Sequence, residues 1–270
     1  MDRLLRIGKD SNTGILTSST IYLIAAFAMM LDHAKHIGLL ESITFNMIGR
    51  IAYPIFAYFI VVGISKTHNI ERYIIRLFVA AILAEIPFNV MCTGQLFSLN
   101  YQNTIFELLI GTIGVKAIFD LKQKKTDIIQ KIVDVGLIIL TPLLAEALNC
   151  DYGLHGILLI LAFAIFYNSS VEKLGILLSI VLVFCIGYKS TPVLNIFNVT
   201  IELQTLSILS CIPLFLYNGK EWQGGNPVNQ PKTEDESAKG VKTSSQKAFQ
   251  IFKYIFYPGH LAALCLIKLL

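Results

Sequence analysis

Charge is scarce in this sequence. Only 15% of its 270 residues are Asp, Glu, Lys or Arg, against about a quarter in a soluble globular domain, and the mean hydropathy is +0.64. That shortage argues against a water-soluble domain and for a chain dissolved in lipid. A formal charge of +4, thinly spread, gives no footing for nucleic acid, and no nucleic acid partner is expected. Cys92, Cys150, Cys185, Cys211 and Cys265 are isolated, odd in number and without CxxC or Cys/His spacing, so neither a disulfide framework nor a zinc site is indicated. No internal repeat or heptad array stands out. The first apolar run lacks a small-residue cleavage site and carries Asp32 and His33, so it reads as a retained span rather than a signal peptide.

What is present is a series of apolar runs. At about 17 to 25 mostly apolar residues per span, the chain divides into nine expected helices, at 15–37, 43–65, 72–92, 103–121, 128–148, 153–168, 173–189, 203–218 and 250–269. The expected fold is therefore all-α, a polytopic membrane helical bundle in one domain spanning 1–270. Lys and Arg test the layout, because they gather in cytoplasmic loops. With the N-terminus inside, 17 of the 22 fall on that side. Nine spans then put the C-terminus outside, which implies a multi-pass protein of the cell membrane. The stretch from Asn218 to Lys247, rich in Gly, Pro, Lys, Glu, Ser and Gln, is too polar to order itself and is expected to be a mobile cytoplasmic loop (218–247).

Against this apolar ground the intramembrane polar residues segregate by depth. Asp32 and His33 lie toward the outer end of the first span and Arg50 near the outer start of the second. Glu85 and Asn89 are one turn apart in the third span, and Asn103 and Glu107 repeat that spacing in the fourth. Glu146, Asp151 and His155 lie on the same side, near the interface. Ionisable groups at such depth mark function or pair with one another, and a shared polar cavity open to the outside accounts for all of them. The structural reading stands beside this one: Glu85 precedes Pro87 and Arg50 precedes Pro54, where polar side chains satisfy backbone groups freed by proline. Asp32 need not orient the imidazole of its neighbour His33, since adjacent helix residues do not face each other; Glu85 or Glu107 across the bundle is the alternative.

The inner rim is basic. Lys66, Arg72 and Arg76 form one cluster and Lys122, Lys124 and Lys125 a second. Topology determination and anionic lipid contact explain such clusters, as does a grip on the phosphates of a nucleotide co-substrate. In the last span, Tyr257-Pro258-Gly259-His260 sets a proline beside a tyrosine and a histidine, where a kink makes room for a ligand or for packing.

The ordered series Leu31-Asp32-His33, Gly49-Arg50-Ile51-Ala52-Tyr53-Pro54, Arg72 to Arg76 followed by Glu85-Ile86-Pro87-Phe88, Asn103 to Glu107, Asp151-Tyr152-Gly153, Leu216-Tyr217-Asn218-Gly219-Lys220 and Phe256-Tyr257-Pro258-Gly259-His260 resembles the TraX family, from about residue 20 to the C-terminus. The family takes its name from a conjugative-pilus protein that acetylates the N-terminal amine of pilin, and it is kin to the multispan acyltransferase-3 proteins. The loop after Lys220 looks longer than the family's usual link. The resemblance implies a single acyltransferase-like domain and an acetyl-CoA-dependent N- or O-acetyltransferase. Such an enzyme carries acetyl from cytoplasmic acetyl-CoA, its co-substrate, to an extracytoplasmic peptide or glycan acceptor.

On that reading His33 is the base or a transient acetyl carrier, Asp32 tunes it, and Arg50 anchors the acceptor or a carboxylate, with Glu85 in the same catalytic group. Asn89, Asn103 and Glu107 shape the acceptor cavity. Arg72, Arg76 and Lys122 hold the CoA phosphates, and Tyr257 and His260 contact the thioester. Two rivals remain: a small proton-coupled transporter with Asp32, His33 and Glu85 as its relay, and a non-catalytic assembly factor of a conjugation or surface apparatus, in which Asp32, His33 and Arg50 are replaceable.

Overall fold

The computed structural model describes residues 7, 14–123, 127–196, 199–221 and 244–269. Most of the loop expected at 218–247, and Lys124 and Lys125 of the second basic cluster, lie outside the described residues.

Each expected apolar run is helical over most of its length. Helix α1 (Ser18–His36) starts where the Thr17 hydroxyl accepts from the Thr20 amide. The short α2 (Thr44–Gly49) leads through Arg50 and Ile51 into α3 (Ala52–Lys66). Asn69 caps α4 (Ile70–Thr93), which stops at Gly94, whose φ of +71° an L side chain resists. Asn103 caps α5 (Thr104–Leu121). Then come α6 (Ile128–Ala147), α7 (Gly153–Phe166) and α8 (Glu172–Ile180), the last continuing as a π-helical turn at Val181–Gly187. A 3₁₀ helix, Leu203–Ser210, runs into α9 (Cys211–Phe215), and α10 (Ser244–Leu269) closes the bundle. Residues 218–221 are pinned to the start of α1: the Asn218 amide donates to the Leu16 carbonyl at 2.9 Å and the Ser18 amide to the Lys220 carbonyl at 3.0 Å.

Three stretches among the described residues are long and apolar enough to cross a membrane: Thr44–Lys66, Ile70–Thr93 and Ile128–Ala147. Their outer faces carry large apolar side chains, Phe78, Ile82 and Leu83 on α4 and Ile132, Ile139 and Leu140 on α6, all exposed. In water such a belt would cost about 25 cal/mol per Å²; in lipid it is the solvated face. Helix α6 is the clearest case, with only Asp134, Thr141, Pro142 and Ala145 buried and Ile138 half-buried against the core between them. Around the core, α5 packs on α6 and α7, α10 on α4, and α1 on α2 and α3.

Among the described residues the fold departs from an all-α bundle at one strand pair. Between the π-helical turn and the 3₁₀ helix, β1 (Pro192–Ile196) and β2 (Val199–Glu202) pair antiparallel, with Ile196 opposite Val199 and Pro192 opposite Glu202. Val193, Leu194, Ile196, Val199, Thr200 and Ile201 make a short run rich in β-branched residues, and such a run favours a strand when it is too short to span.

The 3₁₀ helix has its own peculiarity. At three residues per turn, Gln204, Ser207 and Ser210 stand in one row; all three are buried, and Gln204 Nε2, Ser207 Oγ and Ser210 Oγ make no hydrogen bond among the described residues. A buried polar group without a partner costs about 1–3 kcal/mol. Ser207→Ala is therefore expected to leave the melting temperature of the detergent-solubilised protein unchanged or raise it; a marked drop would show that the hydroxyl holds the segment in place.

Candidate functional site

Asp32 and His33 are consecutive on α1 and leave the helix in different directions, so each finds a different partner. Asp32 turns to α2. Its Oδ1 accepts from Asn46 Nδ2 at 2.7 Å and its Oδ2 from Arg50 Nη2 at 2.5 Å. Arg50 Nε donates back to the Asn46 carbonyl at 3.2 Å, and its Nη1 lies 3.5 Å from the Tyr152 hydroxyl and from Gln204 Oε1. Both charged side chains are mostly buried, 16% and 18% exposed. The approach of α2 depends on Gly49, because a Cβ there would lie 2.4 Å from Asp32 Cβ.

His33 turns to α10. Its Nδ1 is 2.7 Å from His260 Nε2, and the two rings are nearly coplanar, 7° apart with centroids separated by 5.0 Å. That is the geometry of an in-plane hydrogen bond, not of a stack. The far nitrogen of His260, Nδ1, is 2.9 Å from the Phe256 carbonyl, which can only accept, so Nδ1 carries the proton. With both rings neutral, His260 Nε2 accepts and His33 Nδ1 donates. His33 Nε2 is then left with its lone pair, the ring's basic atom. Of the groups the sequence offers to orient this imidazole, Asp32, Glu85 and Glu107, none is bonded to it; its partner is His260.

Two cavities meet beside this pair. The smaller, about 220 Å³, is lined by Asp32, His33, Arg50, Cys92, Asp151 and Tyr152 among others. Asp151 accepts from the Thr104 hydroxyl at 2.7 Å and from the Tyr101 hydroxyl. The larger, about 300 Å³, is walled by Tyr22, Phe59, Leu77, Tyr254 and Tyr257, with Lys66, Arg76, Lys253 and Glu221 also in its lining. Met29, Phe56 and Thr104 line both. The two therefore adjoin, one lined by His33 of the histidine pair and the other by a surplus of cations.

Other expected site residues hold helices together. Glu85 accepts from Asn89 Nδ2 at 3.2 Å and from Asn103 Nδ2 at 2.6 Å, while Asn103 also donates to the Ala81 carbonyl. This clasp fastens α4 to the start of α5, outside the lining of both cavities. Glu107 is fully buried, accepts from the Tyr152 amide at 3.1 Å, and faces α7 across Gly156, where a Cβ would come within 1.9 Å of its Oε1. Of the expected phosphate ligands only Arg76 lines a cavity. Arg72 is exposed, and its amide is the one that Asn69 caps. Lys122 donates to the Ala164 and Ile165 carbonyls, closing the end of α7, and burial pulls its ammonium below the ordinary lysine range. Residues the sequence reading missed include Asn46, Tyr152 and Lys253, whereas Lys66, already placed in the first basic cluster, lines the larger cavity. Asn46 had a legible signal, four residues before Arg50 and so on the same helix face.

Among the described residues no group of three or more His, Cys, Asp or Glu is placed to hold a metal ion.

The family model described as TraX protein matches residues 17–268. The chain belongs to the TraX family. Its match takes in both cavities and the histidine pair. A curated relative, a probable fimbrial assembly protein FimC of serogroup H1 from Dichelobacter nodosus, is 25% identical over 264 residues, covering 91% of this chain and 93% of its own. No solved structure matches.

Proposed function

We propose that this TraX-family chain is a multi-pass membrane acetyltransferase, with nine spans, its N-terminus inside and its C-terminus outside, that moves acetyl from cytoplasmic acetyl-CoA to an amine or hydroxyl of an extracytoplasmic peptide or glycan. The observation that carries this reading is the junction of the two cavities at Met29, Phe56 and Thr104, with an oriented imidazole on one side of it and three cations against one carboxylate on the other. The larger cavity suits the co-substrate: its walls are apolar and aromatic, as a narrow pantetheine arm requires, and Lys66, Arg76 and Lys253 supply charge for phosphates. The smaller cavity receives the acceptor.

His33 Nε2 takes the proton from the acceptor N–H or O–H as the acceptor lone pair adds to the thioester carbonyl carbon. The C–S bond then breaks, and the thiolate leaves with the proton from His33. His260 holds the imidazole in the required tautomer through Nδ1–H of His33, and the Phe256 carbonyl fixes His260. Arg50, held by Asp32, presents a cation at the wall of the acceptor cavity. A proton relay through Glu85, the basis of the transporter reading, gains nothing from its pairing with Asn89 and Asn103 away from that cavity.

The test is transfer from labelled acetyl-CoA by the purified full chain to a peptide with a free amino terminus and, separately, to envelope glycans. Label on either supports the reading, and label confined to CoA with both removes it. Within that assay Arg76→Ala is expected to raise KM for acetyl-CoA by about 10- to 100-fold, the equivalent of about 1.5–3 kcal/mol for a hydrogen bond to a charged group, with kcat little changed. An unchanged KM would take the phosphates away from Arg76.

A further inference from the structure

We infer that the Tyr257 hydroxyl is the donor that stabilises the carbonyl oxygen of the thioester as it gains negative charge; this rests on the acetyl-transfer reading and adds a catalytic residue to it. Tyr257 is buried, and its hydroxyl makes no hydrogen bond of ordinary geometry among the described residues; the polar group beside it is Thr104, whose own hydroxyl donates to Asp151. A phenol kept that way in an apolar bundle forgoes about 1–3 kcal/mol, which a ligand oxygen would restore. Its side chain lines the larger cavity, and Thr104 beside it lines both that cavity and the smaller one.

The third observation is the neighbourhood of the ring. Tyr257 and His260 are three apart on α10 and so share a face, with ring centroids 5.5 Å apart. The His33 ring meets Tyr257 edge-on, centroids 6.1 Å apart, while bonded to His260. One helix thus carries the group that orients the base and the group that faces the acyl carbonyl. In the chemistry, the acceptor forms its bond to the carbonyl carbon, the π electrons move onto oxygen, and Tyr257 Oη–H donates to that oxygen while keeping its proton. The charge returns as the C–S bond breaks. A donor fixed in advance in a dry site acts on the transition state more than on the bound thioester. It should therefore govern kcat rather than binding.

Tyr257→Phe removes only the oxygen. In the full chain, with an acceptor that the wild type acetylates, the variant is expected to lose about 10²–10³-fold in kcat, the range found for a single oxyanion donor. KM for acetyl-CoA and the affinity for an unreactive thioether analogue should be nearly unchanged. Replacing Tyr257 with difluorotyrosine, whose hydroxyl is a stronger donor, should change kcat at unchanged thermal stability, a readout that a purely structural tyrosine would not move. Wild-type kcat in Tyr257→Phe overturns the donor and leaves acetyl transfer standing. No transfer by the wild type removes both.

Discussion

Replacing His33 by alanine is expected to lower acetyl transfer by about 10²–10⁴-fold, the range for loss of a positioned general base. The loss should fall on kcat, because His33 lines the smaller cavity and not the larger one proposed for the co-substrate. Replacing His260 by alanine should cost less. It removes the acceptor for His33 Nδ1–H but leaves an imidazole in place, free to adopt the wrong tautomer part of the time. The two losses should not add, since residues acting as one unit give non-additive effects. The alanine variant also opens a small cavity beside an existing one, so added imidazole should restore part of the rate, an outcome that a structural role for His33 would not produce. Initial rates from labelled acetyl-CoA, with and without imidazole, decide the matter. Full activity in His33→Ala removes the base.

The features that could be read from the sequence were those written in local pattern. Apolar runs of spanning length marked the helices, and polar residues out of place in them marked Asp32, His33 and Arg50, all three of which line one cavity. What local pattern does not carry is direction around a helix axis at long range. The partner of His33 is 227 residues away, and no periodicity in α1 points to α10. The same limit separates Glu85 from the cavity. Its depth in the bundle matches that of the site, but its rotation on α4 aims it at Asn103. For Lys122, charge alone suggested phosphate, whereas its place just after α5 puts it within reach of the open carbonyls of α7, and unpaired helix-end carbonyls are ready acceptors. The hairpin at 192–202 was missed for another reason. A search tuned to spans treats a short β-branched run as a connection.

Arg50→Ala should be the most destabilising single change at the site. It leaves the Asp32 carboxylate, 16% to 18% exposed together with its partner, holding only the Asn46 amide. Breaking a buried pair from one side costs about 3–5 kcal/mol, and residual exposure here argues for the lower end. Asp32→Ala leaves Arg50 with the Asn46 carbonyl and two contacts of 3.5 Å to Tyr152 and Gln204, so it should cost somewhat less. The double variant, which leaves no unpaired charge, should be more stable than the sum of the two singles implies, and that coupling is the quantity to measure by thermal unfolding in detergent. Arg50→Lys separates charge from geometry. A lysine can reach Asp32 but cannot also serve the Asn46 carbonyl and Tyr152 from one planar fork, so partial loss of stability is expected. If the two single variants add without coupling, the pair is not what holds α2 against α1. In that case Gly49, through which α2 lies against Asp32, becomes the residue on which the wall of the smaller cavity depends.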